Sequence, residues 1–265
     1  MNLYREMELL LRQIPEGMFS TYDAIAIALG DIIARDAVRE FAGIKAGGKV
    51  IPGIEDGIML FDKFETEFPL KKLRNEQIMM SKRVVTEDDF EKIERIAGMD
   101  VAYRGNTAYG AYVEMDMKGN VIEKNTETME VNFPYIPTYF SYRELPVLEK
   151  LLEGRHPDIV MVNGSGIAHP RHFGMASHLG VLHSLPVIGI TKRLLCGEVR
   201  GKYIYMGKEK VGAVYGKKPI YISPGHKISV DSSVAISKEL CRYRIPEPLM
   251  QAHVLATETK NENNL

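Results

Sequence analysis

At 265 residues the chain has room for one large domain or for a small one joined to a medium one, and its 45% hydrophobic content suits a soluble globular protein with a sizeable core. Its 34 Lys and Arg against 35 Asp and Glu exclude overall charge as the means of holding a polyanion, so a nucleic acid partner needs a local basic patch. Two cysteines, Cys196 and Cys241, without Cys-x-x-Cys spacing exclude a disulfide scaffold and a zinc site and fit a reducing compartment.

Taken in order, Leu3, Met7, Leu10 and Leu11 recur at helical spacing and predict an amphipathic, charged helix over residues 1–13. Such a stretch is not a signal peptide, and no apolar run approaches the roughly 20 residues of a membrane span, so a cytoplasmic protein without a membrane partner is expected. "IPEGMFSTYDAIAIALG" follows as a Pro/Gly turn, a Ser20/Thr21 cap and a second helix ending at Gly30. "DIIARDAVREFAG" predicts a third helix stopped by Gly43, and "AGGKVIPGIEDGIML" has the composition of a hairpin or wing. Residues 1–60 thus suggest a small winged-helix-like module, and the charged stretch from Phe64 to Ile93 a partly helical linker over 61–94.

Strand signals open the second unit, residues 95–265. "IAGMDVAYRG", "TAYGAYVEMD" and "VIEKNTETMEV" are three consecutive strands, the last two joined by a tight turn at Gly119-Asn120. A helical "SYRELPVLEKLLEG", the strand "DIVMV", a helical "HFGMASHLGVLHS" and the strand "PVIGITK" come next. A meander followed by alternating helices and strands implies an α/β unit, a mixed sheet with helices on its faces. Asp100 lies within the first strand and Asn163 follows the fourth, so a sheet that pairs these strands brings the two together, with Glu144 on the intervening helix able to close the group. Carboxylate oxygens clustered at such a point are what Mg²⁺ requires, and two ions there stabilise both the attacking and the leaving oxygen of a phosphodiester. A nucleotide-dependent metabolic enzyme is disfavoured, because neither Gly-x-Gly-x-x-Gly nor a Gly-x-x-x-x-Gly-Lys phosphate loop occurs.

Each of these residues also has a plainer reading. Ser141 to Glu144 forms a capping box, Asn163-Gly164 is an ordinary turn dipeptide, and His169 and His226 suit hydrogen bonding within their loops. Tyr135, between Pro134 and Pro137, suits core packing as well as a stiff protruding loop, and Tyr139, Phe140 and Tyr142 suit a core as well as a stacking surface. Asp100, in an otherwise apolar run, calls for a partner or an ion, since an unpaired buried carboxylate is costly.

Five separated stretches, "IAGMDVAY", "FPYIPTYFSYRELP", "VNGSGIAHPRHFGMASHLG", "PVIGITK" and "YRIPEPLMQAH", resemble the endonuclease V family in order and spacing over about residues 95–257. The resemblance implies a ribonuclease H-like fold, Mg²⁺-dependent hydrolysis with Mn²⁺ able to substitute, and a monomer acting on DNA with deaminated bases, chiefly hypoxanthine. It implies nicking at the second phosphodiester 3′ to the lesion. It makes Asp100 and Glu144 metal carboxylates and Asn163 and His253 the remaining metal positions. His169 and Lys192 become catalytic-site residues. Tyr135 becomes the wedge that fills the gap left by an extruded base, flanked by Pro134, Ile136 and Pro137, with Gly164, Gly166 and Arg171 beside the base and phosphate.

Asn163 departs from that family's pattern, which has a metal-binding Asp there. A neutral amide weakens the attraction for a divalent ion, so slow or absent cleavage is expected. Deliberate inactivation, compensation by another carboxylate, and loss of cleavage with retained lesion binding all remain open, as does inosine-containing RNA as substrate. Separately, "LLRQIPEGMFSTYDAIAIALGDIIARDAVREFA" is similar to the DNA-binding part of O6-alkylguanine-DNA alkyltransferases. Gly47 and Gly48 stand where that family has its acceptor Cys and His, and Asp36 where it inserts an arginine, so no alkyl transfer is expected.

Overall fold

The computed structural model describes residues 1–53 and 57–262. They fall into two units, Met1–Glu76 with Val131–Arg143, and Gln77–Glu130 with Glu144–Leu265. This division follows packing, whereas the sequence boundaries at 60 and 94 follow motif and composition.

In the first unit, Asn2 accepts a hydrogen bond from Arg5 N at 3.0 Å and starts α1 (Leu3–Arg12), which buries Leu3, Met7 and Leu10. After β1 (Ser20–Thr21), the Thr21 hydroxyl caps α2 (Tyr22–Leu29), which ends as predicted on Gly30 in the left-handed conformation. Asp31 caps a short 3-10 turn, Ile32–Ala34, that runs straight into α3 (Arg35–Lys45). Contrary to the sequence expectation, α3 passes through Gly43. That glycine is exposed with nothing near it, so only a backbone entropy cost of about 1 kcal/mol opposes the continuation, and the apolar face of the helix outweighs it.

The predicted wing also differs. Its strand, β2 (Val50–Ile51), pairs in parallel with β1 through Ser20↔Val50, and it stops before Pro52, which has no N–H to carry the ladder on. Residues 54–56 of that stretch lie outside the described residues. In the expected linker, α4 (Pro69–Ser81) is the helical part. One apolar cluster joins Leu3, Met7, Ile25, Leu29 and Leu70 with Phe133, Ile136 and Tyr139.

The second unit is built as predicted through its first seven elements: β3 (Arg95–Arg104), β4 (Thr107–Asp116), β5 (Val121–Glu130), α5 (Ser141–Leu152), β6 (Ile159–Asn163), α6 (Met175–His183) and β7 (Val187–Thr191). Four strands absent from the sequence reading follow, β8 (Glu198–Arg200), β9 (Tyr203–Met206), β10 (Glu209–Tyr215) and β11 (Ile220–His226), then α7 (Val230–Leu240) and α8 (Glu247–Glu262). All nine strands of this unit form one sheet in the order β5-β4-β3-β6-β7-β11-β10-β9-β8. The pairs β3/β6 and β6/β7 are parallel and the rest antiparallel, which is the mixed, ribonuclease H-like α/β arrangement expected.

Two glycines fix the layers. A Cβ on Gly98 of β3 would land on the backbone of Pro248 and Leu249, so α8 lies directly on that strand. A Cβ on Gly110, which pairs with Val101, would press Val147 and Leu151 of α5. Residues 98 and 101 point to opposite faces, so α8 and α5 cover opposite sides of the sheet. Among the described residues, no helix is long and apolar enough to cross a membrane.

Candidate active site

Parallel pairing sets the C-terminal ends of β3, β6 and β7 side by side, the position where open α/β sheets build their sites. The β3/β6 register reaches Met99↔Val162, so Asp100 and Asn163 are the next residues on the two strands and share the α8 side. Asn163 Nδ2 donates to Asp100 Oδ1 at 3.0 Å. From the second turn of α8, His253 Nδ1 stands 2.6 Å from Asp100 Oδ2. Lys192, the first residue past β7, completes a small cleft with Thr191, Ile190, Ile245 and Leu249.

Asp100 is only 4% exposed, and a buried carboxylate needs donors on both oxygens. Asn163 and His253 supply them. For His253 to donate, Nδ1 must carry a proton, which leaves Nε2 as the nitrogen that exchanges protons with other groups. Gly98 makes this contact possible, because only a strand without a side chain there lets the start of α8 descend far enough to bring His253 to Asp100.

The other expected site residues are distributed differently. Glu144 is buried in the first turn of α5 and accepts a hydrogen bond from the Tyr103 hydroxyl at 3.1 Å. It is not among the residues lining the cleft with Asp100, and neither is His169. His169 is buried, and its Nδ1 accepts from Arg171 N at 3.2 Å, the loop-bonding arrangement of its plainer reading. Arg171 in turn donates from Nε to the buried Gln77 at 2.8 Å. A Cβ on Gly166 would strike Pro224, and one on Gly164 would meet Met175 at 2.5 Å, so the space beside both glycines is taken up by the protein itself. In the first unit, Pro134 and Ile136 are buried, correcting the expectation that they face nucleic acid. Tyr135 between them is 61% exposed.

Tyr103 went unnoticed in the sequence, although its place three residues after Asp100 on the same strand, and so on the other face, was the available signal. His226 accepts from Val85 N at 3.1 Å at the end of β11, and burial first, then Lys227 and Arg83, lower its pKa.

Asp100 and the Asn163 side-chain oxygen, which a half turn of the amide presents in place of its NH₂, are hard oxygen donors on adjacent strands. They fit one hydrated divalent cation, which keeps several waters of its own, but with one negative charge fewer than a pair of carboxylates. Among the described residues, no group of three Asp, Glu, His or Cys side chains stands ready to hold a metal ion.

A mixed sheet that gathers a buried carboxylate, a histidine and a lysine at its parallel strand ends defines a ribonuclease H-like nuclease scaffold. Residues 78–254 match the endonuclease V family, and the chain belongs to it. An endonuclease V from Dictyoglomus thermophilum is 37% identical over 69% of this chain and 87% of its own length. A protein of Picrophilus torridus described as a bifunctional methyltransferase/endonuclease is 31% identical over 99% of this chain and 98% of its own, a match that includes the N-terminal unit. An Asp-to-Asn variant of the Ciona intestinalis endonuclease V, solved with a 23mer DNA containing an inosine followed by a ribo-adenosine, is 25% identical with a TM-score of 0.69, covering 76% of this chain and 100% of that one.

Proposed function

We propose that this chain is a divalent-cation-dependent endonuclease that nicks DNA at the second phosphodiester 3′ to a deaminated base, chiefly hypoxanthine, with turnover held down by Asn163. One observation carries the reading: Asp100, Asn163, Lys192 and His253 meet at the ends of parallel strands in a chain of this family. The inosine-containing DNA bound to the Ciona relative supports the choice of lesion.

Asp100 and Asn163 would hold Mg²⁺ or Mn²⁺, and the ion would supply a water activated for attack and charge stabilisation at the scissile phosphate, whereas Glu144, bonded to Tyr103 on the other face of the sheet, stands outside that set. Lys192 is exposed at the rim and draws the phosphate in. His253, anchored through Nδ1, moves a proton at Nε2. Tyr135 fills the stack when the base leaves it. His169, with Arg171, holds the loop after β6 in shape. No alkyl transfer accompanies this, since both cysteines lie past residue 190 and none falls in the alkyltransferase-like segment. The protein acts as a monomer in the cytoplasm.

A second reading has a specific observation behind it. With both oxygens of Asp100 already satisfied by Asn163 and His253, the site is complete without a cation, as befits a protein that binds lesions and leaves them uncut. End-labelled duplexes containing inosine, in Mg²⁺ and in EDTA, separate the two: a nick displaced by one phosphodiester from the lesion supports the nuclease, and saturable binding with no nick in either buffer supports the binder. Matched substrates with a ribose at the cleaved position test RNA as the target.

A further inference from the structure

In the chain, residues 131–140 connect β5 to α5, elements that lie wholly or mostly in the sheet-bearing unit, yet these residues and the start of α5 as far as Arg143 pack with the N-terminal one. Phe133, Ile136 and Tyr139 are buried in a single cluster with Leu3, Ile25, Leu29 and Leu70. Backbone and side-chain bonds seat both ends of the loop. Leu3 N donates to Asn132 O at 2.9 Å, and the Tyr142 hydroxyl donates to Leu73 O at 3.1 Å. In the middle, the Tyr139 hydroxyl donates to Asp31 Oδ2 at 2.7 Å, and that same carboxylate caps the turn at Ile33 and pairs with Arg74 at 3.7 Å. Thr138 is held at φ +67°, which a β-branched residue adopts only where its surroundings impose it. Against this fixed background Tyr135 projects, its ring leaning edge-on against Phe140 at 5.7 Å.

A side chain that replaces an extruded base must arrive at a set angle, and a swaying loop would lose affinity in being ordered on binding. We propose that the N-terminal unit is the rigid seat of the Tyr135 loop, and that the Asp31–Tyr139 hydrogen bond fixes the angle at which the ring enters a duplex. This gives the alkyltransferase-like module a positioning task that needs no acceptor thiol. The inference rests on Tyr135 acting as the wedge, and its ligand is double-stranded nucleic acid with one base unstacked.

The test uses the full chain in EDTA, so that nicking does not intervene, with an inosine duplex carrying 2-aminopurine beside the lesion and the same strand left single. Tyr139→Phe is expected to weaken duplex binding about ten-fold and to lower the fluorescence rise at saturation, while single-strand binding stays within about two-fold, the factors expected for a hydrogen bond to a charged group that matters only in the duplex. Asp31→Asn, which keeps an acceptor oxygen without the charge, falls between. Tyr135→Ala serves as the reference. If it leaves duplex and single-strand binding unseparated, the wedge reading itself fails. If it separates them while Tyr139→Phe and Asp31→Asn bind both as the unaltered chain does, or lose both equally, the seat is refuted.

Discussion

Replacing Asn163 by Asp sets a second carboxylate where the amide now sits, 3.0 Å from Asp100. Two unit charges at about that spacing repel by about 5 kcal/mol at an effective dielectric near 20. Lys192 lines the same cleft and His253 touches Asp100, so their charge offsets part of this, leaving a loss of roughly 2–3 kcal/mol in the absence of a cation. For a chain of this size that corresponds to melting lower by roughly 5–10 °C. Mg²⁺ reverses the sign, because an ion between two carboxylates removes the repulsion and gains attraction. Thermal melts of Asn163→Asp and the unaltered chain, each in EDTA and in Mg²⁺, are therefore expected to cross, the variant being less stable without the ion and gaining more from it. Nicking of an inosine duplex in Mg²⁺ should rise at least ten-fold in the variant, about 1.4 kcal/mol at the barrier. Equal melting temperatures and equal nicking in all four conditions would refute the placement of residue 163 beside the cation.

Gly98→Ala should displace α8, costing about 1–3 kcal/mol or more by overpacking, and should lower activity beyond its effect on stability because His253 moves with the helix; denaturant unfolding alongside nicking checks both. Burial holds the His178 imidazole neutral, its pKa lowered from 6.5 to about 4. Unfolded chains take up that proton first, so stability is complete above about pH 6.5 and falls by on the order of 3 kcal/mol as the pH drops through that window toward 4, a slope that His178→Gln should flatten in denaturant titrations at successive pH values. Incubation with DNA containing O6-methylguanine should leave the intact mass of the protein unchanged, and a gain of one methyl group would overturn the reading of residues 47 and 48 as a lost acceptor site.

The Asp100–Asn163 pair was legible in the sequence because strand order and a parallel register follow from the alternation of apolar runs with a helix. Its third member was not derivable in that way. His253 sits 153 residues from Asp100, and its approach depends on what Gly98 lacks, which no periodicity reports. Glu144 is a similar case: its helix was evident, whereas the face of the sheet it covers follows from the pleat at Gly110. Strands β8 to β10 escaped notice because they contribute only a few residues, Ile204 and Val211 among them, to a small satellite core, and their alternation is masked by Lys, Arg and Tyr. The aromatic run from Tyr135 to Tyr142 was open to both core and surface readings, and the fold uses both at once: Tyr139 goes in and Tyr135 stays out.

The interleaving of residues 131–143 with the N-terminal helices has a practical corollary for anyone dissecting this protein. No single cut separates the two units into self-sufficient fragments. A C-terminal piece beginning near residue 77 would carry Phe133, Ile136 and Tyr139 with nothing to cover them, an adhesive strip that invites aggregation, and an N-terminal piece would keep a gap in its interior where they belong.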